Sequence, residues 1–597
     1  MWIDYKKAYG SIPHTWIEDM MDLYKIDATT IAFIITLMPQ WRTKIYLPHE
    51  DGCVSTEDIS FNKGIFQGDT LSPLIFCLAL APLTNILKRA KVGYKIGNAQ
   101  VSILKYIDDL KIFGHSPEEI EQCRNIVAKF SKDICMEFGL DKCAIIHTKG
   151  GKLIDSPVSS NIPLLTEEDS YRYLGILECT DIMQTAVKQI TRSEYFTRTR
   201  NILKSGISAK NVASAISTFA TPVMRYTFGV IRWTKAELRG IDRKTRKILT
   251  KYQYHHPKSN TNRLYTSRER GGRGITSITD CHHQECTALA NYLAKSTDPL
   301  VGIVREAESR TKRGLMTLVK NDQSKEDLSR TTNEGHRKAL LEMPLHGQFS
   351  KQQTEIPNVD IDQSHQWLQG AHLRYETESL ICAAQEQALA TNHIKARIWK
   401  NGTNSKCRLC KEKDETITHI VSGCKMLAAT KYLYRHNQIA KYLHWCLARD
   451  MGVEVPSSWL EHTPQESTTR EGIVLLWDMT IDTGTRVLAN RPDILLHNKK
   501  EKTCYIIDVA VPADNNSVKK YAEKLTKYRD LEIEVQKCWG LKKVKTIPII
   551  VGALGTICAN LAINLNLLSP RTKITVVQKT ALLGTAHILR NVLTSKD

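Results

Sequence analysis

Tyr106-Ile107-Asp108-Asp109 sets two adjacent carboxylates between two apolar runs, Val101–Leu104 and Leu110–Phe113. Short apolar runs predict strands, and side-by-side acids resist burial, so the segment is expected to fold as a hairpin with the acids at its tip. Turn preference alone accounts for such a pair, since Asp favours turns. A chemical reading needs a further acid, and Ile3-Asp4-Tyr5-Lys6-Lys7-Ala8-Tyr9 supplies one: Asp4 closes an apolar strand and Tyr9 follows five positions later. Nucleotidyl transfer uses carboxylates that hold two divalent metals about 3.5–4 Å apart. Asp4, Asp108 and Asp109 together offer that set. Between them, Gly64-Ile65-Phe66-Gln67-Gly68-Asp69-Thr70-Leu71-Ser72-Pro73 reads as a glycine-flanked loop opening a helix at Leu74, where backbone and Gln67 can approach a base and a template strand closely.

The chain's 597 residues exceed what one hydrophobic core can organise, so several domains are expected. Residues 1–180 alternate β-rich runs (Val101–Tyr106, Cys143–His147, Tyr173–Leu177) with helical patterns such as Pro117–Phe138, an α+β arrangement. Residues 181–254 read as nearly all helical. A polar, basic loop follows at His255–Gly274 and reads as a boundary; its end, Arg270-Gly271-Gly272-Arg273-Gly274, reads either as a grip on a nucleic-acid backbone or as a simple turn. Lys and Arg outnumber Asp and Glu by 83 to 63, and 16 of the 20 excess charges fall between Val187 and Ile275. A polyanion is the simplest partner for that cluster, with a solvated basic helical surface as the plain alternative. Residues 300–365 are polar enough to serve in part as a flexible connector, and Ile381–Lys400 is helical again. After a cysteine-rich patch and a helix at Tyr432–Leu447, residues 472–597 alternate strands and helices as a separate α/β domain. Sixteen cysteines without framework spacing, and no apolar leader, fit a reducing intracellular compartment. The apolar stretch Ile547–Leu568 carries Asn560 and Asn564, and reads as a core strand and helix rather than a membrane span.

Two further constellations carry chemistry. Cys407-x2-Cys410-x8-His419-x4-Cys424 gathers three thiolates and an imidazole in one short segment, as a closed, structural tetrahedral Zn²⁺ site requires. Arg491-Pro492-Asp493-Ile494-Leu495-Leu496 and Tyr505-Ile506-Ile507-Asp508-Val509-Ala510-Val511-Pro512 give two strand-like runs, each with an Asp, and the next helix carries Lys519, Lys520, Lys524 and Lys527, then Tyr528. Paired strands with acids are most often structural. Carboxylates for Mg²⁺ beside a basic group near a scissile phosphate are nonetheless the minimum set of a nuclease.

The first 180 residues resemble reverse transcriptases of non-LTR retrotransposons through an ordered series of motifs. The resemblance implies a right-hand polymerase palm in which Asp4, Asp108 and Asp109 hold two Mg²⁺, Tyr9 gates against a ribose 2′-hydroxyl, and Gln67 and Gly68 lie against nucleotide and template. It also implies that Lys142, in Gly139-Leu140-Asp141-Lys142-Cys143, protonates the pyrophosphate leaving group, unless it is a solvated surface lysine, and that Tyr171-Arg172-Tyr173-Leu174-Gly175 is the primer grip. Gly10 stands where the family usually has Asp, which implies altered packing rather than lost catalysis. Met1 lies three residues before Asp4, so a truncated copy lacking the fingers is expected.

The cysteine pattern resembles the CCHC knuckle that precedes the endonuclease in site-specific members, and Leu345-His346-Gly347-Gln348-Phe349 and Ala383-Ala384-Gln385-Glu386-Gln387-Ala388 also resemble that group. The last domain resembles their restriction-like endonuclease, whose lysine has moved from the strand, where Ala510 stands, onto the following helix. That implies catalytic Asp493, Asp508 and Lys524, support from Lys527 and Tyr528, a phosphate contact from Arg491, and Thr546–Gly555 completing the sheet. The implied organisation is a palm over 1–180, a basic helical thumb over 181–290, a linker over 291–400, the knuckle over 401–430, a helical connector over 431–470 and the endonuclease over 471–597. The implied activity is target-primed reverse transcription in the nucleus on an RNA template, a DNA target and primer, and dNTPs. A nucleic-acid-binding fragment without polymerase activity, or a nicking enzyme with a vestigial palm, are the alternatives.

Overall fold

The computed structural model describes residues 1–49, 52–96, 99–154, 161–311, 314–317 and 333–594. It resolves into two compact units, one of residues 1–190 and 293–311, the other of residues 191–292 and 312–597. Both mix helix and sheet.

The first unit is built on a three-stranded antiparallel sheet of β1 (Trp2–Ile3), β2 (Ile103–Tyr106) and β3 (Asp109–Ile112), with β3 in the centre. The hairpin expected around Asp108 and Asp109 is β2–β3. Ile3, Leu110 and Ile112 enter a core with Phe76 of α2 (Ser72–Ala79) and with Val127 and Phe130 of α3 (Pro117–Asp133). α2 starts two residues before the Leu74 expected from sequence, with Pro73 in its first turn, where the missing N–H costs nothing. α3 is capped by the Ser116 hydroxyl on the Glu119 amide and by Pro117 at its start. It stops five residues short of the expected Phe138, because Cys135 takes a left-handed φ of 59° and frees Glu137–Phe138 to pair with Tyr5–Lys6. Tyr173–Leu177 is likewise not one strand. Leu174 and Gly175, both at positive φ, turn the chain between β4 (Tyr171–Tyr173) and β5 (Ile176–Glu178). Cys143–His147 contributes isolated bridges from Ala144 and Ile145 instead of a strand.

In the second unit, helices Ala209–Ala215, Thr221–Arg225 and Lys235–Lys251 fulfil the helical expectation, the last with a Thr234/Glu237 capping box. The basic stretch 255–274 is not a free loop. It holds the short helix Thr261–Tyr265, and Arg263, Arg268 and Arg273 are buried, the last two on Glu378 of α4 (Tyr375–Gln385) at 2.5 and 2.7 Å. A guanidinium committed to a buried carboxylate cannot also grip a phosphate, so Arg273 does not supply the backbone grip expected of Arg270–Gly274. Exposed Arg270 pairs with Glu334. Of residues 300–365, where a flexible connector is expected in part, 312–313 and 318–332 lie outside the described residues, and much of the rest is helical, in Pro299–Arg310, Asn333–Leu341, Gln348–Glu355 and the start of Ile361–Gly370.

The C-terminal region is the α/β layer the alternation predicts. After α5 (Leu433–Asp450) come β6 (Ser467–Arg470), β7 (Ile473–Trp477), β8 (Ile494–Asn498) and β9 (Thr503–Ala510), each antiparallel to the one before. α6 (Ser517–Lys527) and the helix Arg529–Cys538 then carry the chain over to β10 (Lys543–Ile550), parallel to β9. A parallel pair needs such a crossover, and its strands are buried on both faces. Ile507, Val509, Ile547 and Ile549 pack on one side against α5 and α7 (Ile574–Thr594), while Cys504 and Ile506 pack on the other with Tyr528, Leu531 and Val535. Among the described residues no helix is long and apolar enough to cross a membrane.

Candidate active sites and metal centre

Strand register brings the first acids together. Ile3 pairs with Leu110 across the antiparallel β1–β3 contact, so the next residue outward, Asp4, comes opposite Asp109. Tyr106 pairs with Asp109, leaving Ile107 and Asp108 as a two-residue turn. Ile107 holds a φ of 56°, which costs a β-branched residue about 1–2 kcal/mol; its side chain packs against the core and offsets part of that. Burial, then Asp108, then Asp4 push the Asp109 carboxyl above the ordinary carboxylate range. Carboxylates that repel one another in this way suit a divalent cation, which would reverse the repulsion.

The other expected residues surround this pair. The Lys142 ammonium lies 3.4 Å from an Asp4 carboxylate oxygen and is otherwise open to solvent; the Gly139 amide donates to the Asp4 carbonyl at 2.8 Å and fixes the turn that carries Lys142. Tyr9, on the short helix α1 of the fold's start (Ala8–Ser11), stacks on Phe76 with ring centroids 5.0 Å apart. Burial first, and then the charge of Asp108 at the hairpin tip, raise the pKa of its phenol. Gln67 and Gly68 are exposed in a loop whose base is fixed by Gly64 N–H to Ile12 O at 2.7 Å and Ile65 N–H to Tyr9 O at 2.8 Å. Gly64 has a φ of 84°, and a β-carbon there would lie 2.7 Å from the Gly10 Cα; one on Gly10 would meet nothing within 4 Å. The β4–β5 hairpin is pinned to the sheet by Trp2, which stacks on Tyr171 at 4.9 Å and donates Nε1–H to Glu178 at 2.6 Å, and by Lys111 on the same Glu178 at 2.8 Å. Sequence reasoning missed Trp2, Lys111 and Phe76, whose partners lie far along the chain.

Cys407, Cys410, His419 and Cys424 bring their four donor atoms within 4.8 Å of one another, the one such group among the described residues. The distances fit the metal expected. Tetrahedral zinc with Zn–S near 2.3 Å and Zn–N near 2.05 Å needs S···S edges of roughly 3.8 Å and S···N edges of roughly 3.6 Å. Cys407 Sγ and Cys424 Sγ are 3.9 Å apart, and Cys410 Sγ and His419 Nε2 are 3.4 Å apart. His419–Gly423 forms a π-helical turn, whose wider winding returns Cys424 to the side of His419. Glu415, fully buried, accepts from Arg408 and from the Asn392 amide, which ties the segment to the helix Asn392–Arg397.

The third constellation repeats the register logic of the first. Ile494 pairs with Ile507, so Asp493 comes opposite Asp508 across β8 and β9. Buried Asp508 meets the Lys524 ammonium, accepts from the Tyr528 hydroxyl at 2.6 Å, and has Lys527 at 3.7 Å; Lys527 also donates to Tyr528 at 2.7 Å. Burial and Asp508 drive the Tyr528 phenol upward, keeping it a donor. Thus Asp493, Asp508, Lys524, Lys527 and Tyr528 converge. Arg491 does not join them: its guanidinium forks onto Asp478 at 2.9 Å on both arms, so the expected phosphate contact is replaced by an exposed ion pair. Sequence reasoning also missed His436 of α5, whose Nε2 lies 3.0 Å from Asp493 Oδ2. Burial lowers that imidazole's pKa, but the Asp493 contact outweighs it and lifts the value to about 9.

Residues 1–177 match the family model described as reverse transcriptase (RNA-dependent DNA polymerase). The chain is 27% identical over 183 residues to the Retrovirus-related Pol polyprotein from type-2 retrotransposable element R2DM of Drosophila melanogaster, covering 29% of this chain and 17% of that protein. Two Popillia japonica proteins described as the Retrovirus-related Pol polyprotein from type-1 retrotransposable element R2 are 23% identical over 46% of this chain and 46% of their own length, and 20% identical over 79% and 65%. The chain therefore spans between 17% and 65% of the length of these relatives. By these matches and the acid-bearing hairpin, residues 1–177 are similar to reverse transcriptase domains, and the chain is similar to the Pol polyproteins of R2-type retrotransposable elements.

Proposed function

We propose that the chain is an RNA-directed DNA polymerase and DNA endonuclease that acts by target-primed reverse transcription in the nucleus. The observation that carries this reading is the repeated register: Asp4 opposite Asp109 at one sheet and Asp493 opposite Asp508 at another, each pair with a lysine on one member. The subdomains follow as a palm (1–180), a thumb (181–290), a linker (291–400), a CCHC knuckle (401–430), a connector (431–470) and a restriction-like endonuclease (471–597).

In the palm, Asp4, Asp108 and Asp109 would hold Mg²⁺, which supplies activation of the primer hydroxyl and charge neutralisation at the pyrophosphate. Tyr9 on its Phe76 platform gives a rigid wall beside the nucleotide sugar, and Gln67 and Gly68 present an open backbone edge to base and template. Lys142 stands within reach to give a proton to the leaving group. In the endonuclease, Asp493 and Asp508 would hold Mg²⁺, and Lys524 on the buried Asp508 stands to orient the attacking water, steadied by Lys527 and Tyr528. The four ligands at 407–424 would close around Zn²⁺ with no open position, so that site is structural.

The test supplies an RNA template, dNTPs, Mg²⁺ and an unnicked DNA duplex carrying a candidate insertion site. Complementary DNA joined covalently to a nicked target strand supports both activities. Nicks without joined product select a nicking enzyme with a vestigial palm, and retention of nucleic acid with neither product selects a binding fragment.

A further inference from the structure

The endonuclease reading rests on residues of the strand layer and its crossover helix, yet one wall of the site comes from elsewhere. α5 precedes the sheet, and its first turn sends His436 across to Asp493, 57 residues later. The Nε2 atom is 3.0 Å from both Asp493 Oδ2 and the Val509 carbonyl oxygen. The Val509 amide donates to the same Oδ2 at 2.6 Å. Asp493 is thereby held by two donors on a single oxygen, and among the described residues no hydrogen bond ends on its Oδ1. On its other side the ring meets the Asn437 side-chain oxygen at 2.9 Å, which fixes its rotation. A cavity of about 550 Å³ opens at this point, lined among others by Arg435, His436, Asp493, Asn516, Lys520 and Lys524.

We propose that His436 is a positioning residue of the nuclease site: by occupying Oδ2 of Asp493 it turns Oδ1 of that carboxylate into the cavity, where a divalent cation and a DNA phosphate meet. This rests on the endonuclease reading above. Structural satisfaction alone does not explain the contact, because the Val509 amide already serves Oδ2 and Asp493 would be hydrogen-bonded without the histidine. Ligands of a metal are commonly oriented by such outer partners, and losing one typically weakens metal affinity 10–100-fold. Asp493 and Asp508 face His436, Lys524 and Lys527, so once a cation is added the cavity's charge favours a phosphodiester over a neutral ligand.

The test uses the full chain carrying Asp108→Ala and Asp109→Ala, which removes the polymerase carboxylates as a competing metal site. Mn²⁺ binding is followed by electron paramagnetic resonance, and nicking of supercoiled DNA in Mg²⁺ is followed in parallel, for the chain with His436, with His436→Ala and with His436→Gln. Gln keeps an N–H donor at the reach of Nε2 and fills the same first-turn position, so it reports even if the alanine variant loses its fold. The expected result is Mn²⁺ affinity down 10–100-fold in the alanine variant and nicking kcat reduced at unchanged KM for DNA, with most of both recovered by glutamine. Equal Mn²⁺ affinity in all three chains, with nicking intact, overturns the positioning role alone. A His436 chain that neither nicks nor binds Mn²⁺ overturns the endonuclease reading, and the positioning role with it.

Discussion

Replacing Glu378 by alanine strands two buried guanidinium groups, and the cost follows from the geometry. Arg268 reaches both carboxylate oxygens, at 2.9 and 2.5 Å, and Arg273 donates Nε–H to one of them at 2.7 Å. All three side chains are at most 7% exposed, so water cannot take the place of the missing carboxylate. Breaking a buried ion pair from one side costs about 3–5 kcal/mol, because the remaining charge is left desolvated. Arg268 keeps two bonds to the Leu368 carbonyl and Arg273 keeps the Tyr254 ring at 4.3 Å, but neither neutralises charge. Glu378→Ala is therefore expected to destabilise the second unit by at least about 3 kcal/mol. Arg268→Met, Arg273→Met and Glu378→Leu combined should recover most of that, since apolar groups of similar volume often replace a buried ionic cluster at little cost. Urea unfolding followed by circular dichroism measures both. A loss below about 1 kcal/mol for Glu378→Ala would show that the cluster is hydrated and the reasoning wrong.

Gly64→Ala should destabilise the first unit by about 2–4 kcal/mol, combining left-handed strain with a backbone clash, whereas Gly10→Ala should be nearly neutral; equal melting temperatures for the two variants would contradict this. Removal of metal with a strong chelator should abolish the fold of residues 407–424, and Co²⁺ added back should give the visible absorption of a tetrahedral thiolate site, which Cys407→Ser should shift; an octahedral Co²⁺ spectrum would contradict the closed site. Buried His444 and His462 share a hydrogen bond at 2.8 Å, and burial, then His462, lowers the His444 pKa to about 4. Because the folded state resists the proton that the unfolded state accepts at about pH 6.5, this contribution is complete above pH 6.5 and is lost as the pH falls through 4, at most about 3 kcal/mol. His444→Phe should flatten the dependence of stability on pH across that window, and an unchanged slope would refute the assignment.

What could be read from the sequence was local. The hairpin at Asp108 and Asp109, the cysteine–histidine spacing, and the order of strands and helices around Asp493, Asp508 and Lys524 are set by neighbours within about thirty residues, and their chemistry shows in residue type and spacing. The misreadings share the opposite property. Arg268 and Arg273 look like a basic loop because Glu378 lies more than a hundred residues away, and His436 looks like an ordinary polar position of a helix because Asp493 lies in a different element. Arg491 is an exception: Asp478, which draws it off, lies only 13 residues before it. The errors at Cys135 and Leu174 are of another kind: each is a non-glycine residue at positive φ, a choice made by packing and not by propensity.

Whether Asp4, Asp108 and Asp109 form a working polymerase centre is decided by primer extension on an RNA template with Mg²⁺ and dNTPs. Extension by the unaltered chain that is abolished by Asp108→Ala with Asp109→Ala is the predicted result. Extension that survives the double substitution would contradict the claim, because the product would then come from chemistry that does not use these carboxylates.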